Sequence, residues 1–209
     1  LRLYEAMSGA QPLNFVATLP PEEVARANIY GLLARLFYGP PDAQLLETLA
    51  GASGMEAEDG DIGPAWDRLC LAAGQADQEA VREEYDTVLV GTGKAPVTLY
   101  TSAYSIRYAT EAPLVELRAK LAALGMARRE GASEPEDHIA ALCDAMRHLI
   151  AVQKRDLEVQ SVFFKRWIGP TAGPLCDAIE AEPSLSFYKT IARFAKAFFD
   201  IEQRAFEML

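Results

Sequence analysis

The sequence has few of the residues on which metal sites, disulfide frameworks and covalent catalysis depend. Its 209 residues include three cysteines and two histidines. Cys70, Cys143 and Cys176 are odd in number and far apart, which predicts reduced core residues of a cytosolic protein. The histidines, His138 and His148, are not part of an H-E-x-x-H motif or of paired E-x-x-H motifs, so no metal site is predicted. Nothing in the spacing of Ser or Cys relative to histidine indicates a nucleophile, and we predict no catalytic residue.

Basic charge and long apolar runs are also scarce. Lys and Arg together number 20 against 30 Asp and Glu, which gives a net charge of −10. Nucleic-acid phosphates require clustered Lys and Arg, so a nucleic-acid partner is not predicted; a cationic partner, or solubility alone, fits the charge. No apolar run approaches the roughly 20 residues of a membrane-spanning helix, and the first residues do not resemble a signal peptide. The sequence therefore predicts a cytoplasmic protein without an integral membrane segment.

Apolar residues recur at the helical period along nearly the whole chain, and no strand-like alternation persists. The clearest stripe is formed by Ile29, Leu32, Leu33, Leu36 and Phe37. The pattern predicts an all-α fold, a single compact multi-helix domain over residues 1–209. Residues 128–133 are polar and contain glycine, so we expect a hinge there between two closely packed helical halves, 20–127 and 134–209.

Residues 133–138, SEPEDH, combine three acids and a histidine directly before an apolar-periodic segment. Ser133 and Glu136 have the spacing of a capping box, and Pro135 suits the first turn of a helix. A helix start at Ser133 explains these three residues but not the other three. The residues left without a structural role are Glu134, Asp137 and His138. Two interpretations stay open, namely a bare helix start and an acidic recognition surface.

A second candidate is GTGKAPVTLYTSAY, residues 91–104, where glycine, proline and β-branched residues interrupt the helical pattern. Its start is similar to a phosphate-binding loop, but Val88 stands where the first glycine belongs and Ala95 where magnesium binding needs Ser or Thr. A left-handed helix cap at Gly91 explains the glycine better. Aromatic and hydroxyl side chains alternate in the rest of the loop and suit a binding surface or the edge of a core. The candidate binding residues of this loop are Gly91, Pro96, Tyr100, Ser102 and Tyr104.

Together these features resemble the TorD/DmsD/NarJ family of redox-enzyme maturation chaperones. Residues 134–138, EPEDH, followed by Ile139, are similar to the family signature E-P-x-D-H followed by Ile or Leu. The order of the other segments also agrees, from about residue 24 to residue 200. The segments similar to the family's opening helix, central loop and last helices are IYGLLARLFYGPP, EEYDTVLVGTGKAPVTLYTSAY, QSVFFKRWIGP and SFYKTIARFAKAFF.

The resemblance implies a TorD-like chaperone, without enzymatic activity, that binds the twin-arginine leader of a molybdopterin-enzyme subunit during cofactor insertion. Its peptide-binding residues would be Glu134, Pro135, Glu136, Asp137 and His138 together with the loop candidates. The acids would form charge-assisted hydrogen bonds with the arginines of the leader. The loop would contact the apolar part of the leader. His138 would donate a hydrogen bond to a leader carbonyl or orient the neighbourhood of Asp137.

The resemblance implies no cofactor of the chain's own. Some family members are reported to bind guanine nucleotides, which the incomplete phosphate loop does not support. We expect a monomer or a dimer that exchanges halves through the hinge. The alternative function is a helical adaptor or regulatory protein whose acidic motif only caps a helix.

Overall fold

A computed structural model describes residues 4–6 (backbone only), 19–52, 62–91, 95–105, 113–129 and 134–209. Most of these residues are helical and very few lie in strands, which confirms the predicted all-α class. Within these ranges there are nine α-helices: α1 (Pro21–Tyr38), α2 (Ala43–Ala50), α3 (Ile62–Gln75), α4 (Gln78–Glu84), α5 (Pro113–Ala123), α6 (Ile139–Arg147), α7 (Leu157–Trp167), α8 (Gly169–Ala181) and α9 (Phe187–Glu207). None of these helices combines the length and apolar character that a bilayer crossing requires.

Three helical segments of other geometry and one strand pair complete the described elements. A π-helical turn, Tyr85–Val90, continues α4, another, His148–Val152, continues α6, and Thr101–Tyr104 is a 3-10 helix. Strand β1 (Tyr4–Ala6) pairs antiparallel with β2 (Met126–Arg128). This pair was not predicted, because alternation cannot be recognised over three residues.

The predicted hinge begins within β2, at Arg128. Residues 130–133 of the hinge lie outside the described residues. The division into two helical halves therefore stays a prediction.

The core forms around α6, which packs most extensively against α1. Every residue of α6 from Ile139 to Met146 is buried, as expected for a helix surrounded by other helices. The sequence stripe on α1 faces this core, with Leu33, Leu36 and Phe37 buried and the rest of the stripe partly buried. On the other side, α9 packs against α3 and α8. All three cysteines are buried, as predicted, and carry free thiols.

A buried polar network joins α1, α7 and α9. Arg26 donates from Nε to Oε1 of Glu202 and from a terminal nitrogen to Oε2, both at 2.7 Å. It also donates to Glu23 and to Gln160 Oε1. The Tyr30 hydroxyl donates to Glu202 Oε2 at 2.8 Å. The carboxylate of Glu202, 2% exposed, thus accepts three hydrogen bonds. A buried charge requires such hydrogen-bonding partners.

The long helix α9 is capped by a residue distant in sequence. Its N-cap Ser186 makes no side-chain capping bond. Instead, the Glu84 carboxylate at the end of α4 accepts the backbone N–H groups of Ser186, Phe187 and Tyr188 at 3.0, 3.1 and 3.2 Å. A carboxylate at a helix N-terminus satisfies free donors and interacts favourably with the helix dipole. Glu84 therefore ties α4 to the start of α9.

We expect Glu84→Ala to lower the free energy of unfolding by about 1–2 kcal/mol, because the first backbone donors of α9 lose their acceptor. Urea denaturation followed by circular dichroism measures the change. The matched control is Glu83→Ala, an exposed acid one residue earlier, for which we expect a change of about 0.5 kcal/mol or less. Equal losses in the two variants would contradict a capping role for Glu84.

Candidate functional site

The acidic motif lies immediately before α6 and is not its first turn. The helix begins at Ile139, and its N-cap is His138, whose Nδ1 accepts the N–H of Ala140 at 3.2 Å. The predicted helix start at Ser133, with a Ser133–Glu136 capping box, is therefore wrong. Ser133 itself lies outside the described residues. The cap that the structure has uses a histidine nitrogen, which the capping-box pattern of hydroxyl and carboxylate does not include.

The motif forms a turn, in which the His138 N–H donates to Pro135 O at 3.2 Å, and its end pairs with the loop at 95–105. Tyr100 and His138 form an antiparallel bridge. The Thr101 hydroxyl adds a bond to the Asp137 carbonyl at 2.9 Å. The backbone bonds are Ile139 N–H to Leu99 O and Thr101 N–H to Asp137 O, each 2.9 Å. The two segments that the sequence analysis chose separately are therefore one structural unit.

Tyr100 and Glu134 form the outer edge of this unit. The Tyr100 hydroxyl donates to Glu134 Oε2 at 2.7 Å, and the tyrosine is 37% exposed. This hydrogen bond is the main cause that raises the pKa of Tyr100 to about 12, so the phenol stays protonated near neutral pH. The Tyr100 ring packs edge-on against the His138 ring at 5.4 Å between centroids. The site thus presents an aromatic ring and a carboxylate side by side.

Glu136 points to α5 rather than to a helix cap. Its Oε2 accepts the Nε–H of Arg118 at 3.0 Å. The Glu136 side chain is only 10% exposed, whereas that of Arg118 is 51% exposed. No local sequence pattern identifies Arg118 as a partner of Glu136, because 18 residues separate the two. The structure thus brings a basic residue of α5 into the acidic motif.

The Asp137 carboxylate makes no side-chain hydrogen bond or ion pair with the residues that the structure describes. Its structural contribution comes from its backbone carbonyl, which accepts both the N–H and the hydroxyl of Thr101. The residue is half-buried. Its carboxylate can therefore be changed without removing a bond that holds the site together.

His138 belongs to the interior of the site. It is 4% exposed, and burial lowers its pKa to about 4, so the ring is neutral near neutral pH. Because Nδ1 accepts the Ala140 N–H, the proton of the neutral ring is on Nε2. Burial leaves little of the ring to a ligand. We therefore assign His138 to capping and packing rather than to the predicted contact with a leader carbonyl.

The loop candidates divide into structural and exposed residues. Gly91 ends the π-helical turn, and its N–H donates to Asp86 O at 2.8 Å. Its φ of 65° is positive, as a glycine allows, but its ψ of 156° is not that of the predicted left-handed cap. Tyr104 is half-buried and donates to Thr98 O at 2.8 Å. Pro96 is exposed and Ser102 half-buried. Residues 92–94, which include most of the phosphate-loop similarity, lie outside the described residues.

The described residues contain no cluster of three or more His, Cys, Asp or Glu side chains that could hold a metal ion. The site offers instead hydrogen-bond acceptors, a phenol and an aromatic face. Such groups recognise a cationic or hydrogen-bonding ligand. These groups suit the interpretation of the motif as a recognition surface, which stays a prediction.

Comparison with solved structures identifies a similar fold. The chain is similar to the crystal structure of a proposed redox enzyme maturation protein from Archaeoglobus fulgidus, with a TM-score of 0.55 and 16% identity over 91% of this chain and 99% of that chain. At this identity the likeness shows the fold, which is that of a redox-enzyme maturation protein. No curated protein matches the chain significantly.

The family follows from the sequence. The family model described as the nitrate reductase delta subunit matches residues 55–177, which include both the loop and the acidic motif. The chain belongs to this family of NarJ/TorD-type chaperones, and the resemblance noted from the sequence is confirmed. The family consists of molybdoenzyme maturation chaperones and works with molybdoenzyme subunits.

Proposed function

We propose that this chain binds the N-terminal leader of a molybdopterin-enzyme subunit, of the twin-arginine type, in the cytoplasm. It holds the precursor while the cofactor is inserted and before export. Membership of the chaperone family supports the role. The observation that carries the choice of site is the union of residues 134–138 and the loop at 95–105 into one surface with acidic and aromatic groups at its edge.

The chemistry of such a leader, arginines followed by an apolar stretch, fits this surface. The Asp137 carboxylate accepts charge-assisted hydrogen bonds from a guanidinium group. The partly exposed ring of Tyr100 offers a face for a cation–π contact with the same group. Val90, 55% exposed where the π-helical turn meets the loop, offers an apolar contact for the following part of the leader. The surface thus offers contacts both to the arginines and to the apolar stretch of the leader.

We expect Asp137→Asn to weaken the binding of a leader peptide by about tenfold or more, because a charge-assisted hydrogen bond contributes about 1.5–3 kcal/mol. Isothermal titration calorimetry with a synthetic peptide measures the dissociation constant. Thermal melting should be unchanged, since the Asp137 backbone and not its carboxylate makes the structural bonds.

The control for the loss of one negative charge is Glu158→Gln, an exposed acid on α7. Its effect on affinity should be less than about twofold, because screened surface charges contribute little. The proposed site is wrong if the Asp137 variant, folded and melting like the wild type, binds the peptide as tightly as the wild type does.

A further inference from the structure

The contact between Arg118 and Glu136 places an arginine of the chain itself on the acidic motif. We propose that Glu136 is a guanidinium-binding position of the leader surface, which Arg118 occupies in the ligand-free chain and from which a leader arginine displaces it. This inference rests on the proposed function. Arg118 is then an internal competitor of the ligand for Glu136.

The exposures of the two partners support a replaceable contact. Glu136 is buried, 10% exposed, and a buried carboxylate needs a cationic partner to offset the loss of hydration. Arg118 is 51% exposed, so its guanidinium can return to water at little cost. The carboxylate must therefore be paired, but its present partner need not stay.

The geometry of the contact also leaves room for a better partner. The hydrogen bond that joins the two side chains runs from Nε of Arg118 to Oε2 of Glu136 at 3.0 Å. A guanidinium that approaches a carboxylate with two parallel N–H groups forms a stronger, bidentate pair. A leader arginine can thus replace the contact that Arg118 makes and keep Glu136 compensated throughout.

The neighbouring acid gives the position its specificity. Asp137 follows Glu136 directly, and its carboxylate has no side-chain donor among the described residues. One acid occupied by an arginine and one open acid lie at adjacent positions of the same turn. Charge complementarity therefore favours a ligand with two successive arginines. The first arginine to bind pairs with Asp137, and the second competes with Arg118 for Glu136.

Release of Arg118 does not require α5 to leave its place. A second ion pair, from Arg166 of α7 to Glu116 of α5 at 2.6 Å, anchors the same helix. The Gln153 side chain also donates to the Leu124 carbonyl, just after α5, at 2.8 Å. The second pair supplies a matched control, because breaking it loosens α5 without exposing Glu136.

The test compares the wild type, Arg118→Gln and Glu116→Gln in binding a synthetic peptide of two successive arginines followed by apolar residues. We expect Arg118→Gln to bind about 3- to 10-fold more tightly, since removal of a competing internal contact raises the fraction of binding-competent molecules. Glu116→Gln should stay within about twofold of the wild type. The gain should vanish with a peptide in which both arginines are glutamine, and in the double variant Arg118→Gln, Glu136→Gln.

A second measurement uses the wild-type chain alone. The Nε–H resonance of Arg118, assigned by its loss in Arg118→Gln, should move toward the position of a hydrated arginine when the peptide is added. Unchanged affinity in Arg118→Gln, with a static resonance in the wild type, overturns the displacement while peptide binding and the proposed function stand. An equal gain in Glu116→Gln also overturns it, since looser α5 packing is then the cause. If the wild type and both variants bind no peptide, the proposed function fails as well.

Discussion

Replacing Glu202 with alanine is expected to lower the free energy of unfolding by about 3–5 kcal/mol, the range typical of breaking a buried ion pair. The carboxylate is 2% exposed and accepts two hydrogen bonds from Arg26 and one from Tyr30. Its loss leaves the guanidinium of Arg26, 17% exposed, with less compensation and the fully buried Tyr30 hydroxyl without its acceptor. Because these groups join α1 to α9, the effect should appear as a loss of global stability.

Chemical denaturation of the wild type and the variant measures this loss. Glu180→Ala is the matched control, since Glu180 pairs with Arg193 of the same helix α9 at 2.9 Å near the surface. Removal of a surface partner should cost about 0–1 kcal/mol. Similar losses in the two variants would mean that the Arg26–Glu202 network contributes no more than a solvated ion pair.

Much of the fold could be predicted because helix signals are local. The apolar stripe from Ile29 to Phe37 predicted a helix, and the structure has one at Pro21–Tyr38. The network around Glu202 could not be predicted in the same way. Its partners on α1 and α9 are 176 residues apart in the sequence. Periodicity predicts which face of a helix is buried, but it does not predict which polar residue of that face meets another helix.

The candidate site shows the same division between local and distant signals. Both segments were found from their composition, and the structure brings them together through the Tyr100–His138 bridge. The capping box was a wrong prediction, because the spacing of Ser133 and Glu136 satisfies a local rule that backbone pairing with Leu99 and Thr101 overrides. A contact formed across some 36 residues leaves no trace in a four-residue pattern.

The structure also changes which motif residues suit recognition. From the sequence, a helix start accounted for Glu136 but not for His138. The structure places His138 inside the fold as the N-cap of α6 and directs Glu136 to Arg118. Asp137 and the Tyr100–Glu134 pair remain at the accessible edge. His138 is thus the residue of the motif that caps the helix. The alternative function, an adaptor whose motif only caps a helix, therefore accounts for His138 but not for the other motif residues.

We expect His138 to make the stability of the chain fall as the pH drops below about 6.5. Burial lowers the pKa of the folded-state ring to about 4 from the ordinary 6.5, so the unfolded chain takes up a proton that the folded chain resists. The stabilisation is complete above pH 6.5, decreases as the pH falls, and is lost once the pH passes through about 4. The shift corresponds to about 3 kcal/mol in total and about 2 kcal/mol between pH 7 and pH 4.5.

His138→Asn isolates this contribution, because asparagine can still cap a helix but does not titrate. The free energy of unfolding of both chains is measured with denaturant at pH 7 and at pH 4.5. Its decrease between the two pH values should be about 2 kcal/mol smaller in the variant than in the wild type. His148, whose pKa burial also lowers, is present in both chains and cancels in the comparison. Equal losses would mean that the ring of His138 is hydrated in solution and protonates like a surface histidine. In that case the histidine of the motif would be accessible to a leader peptide, and its assignment to capping and packing would be wrong.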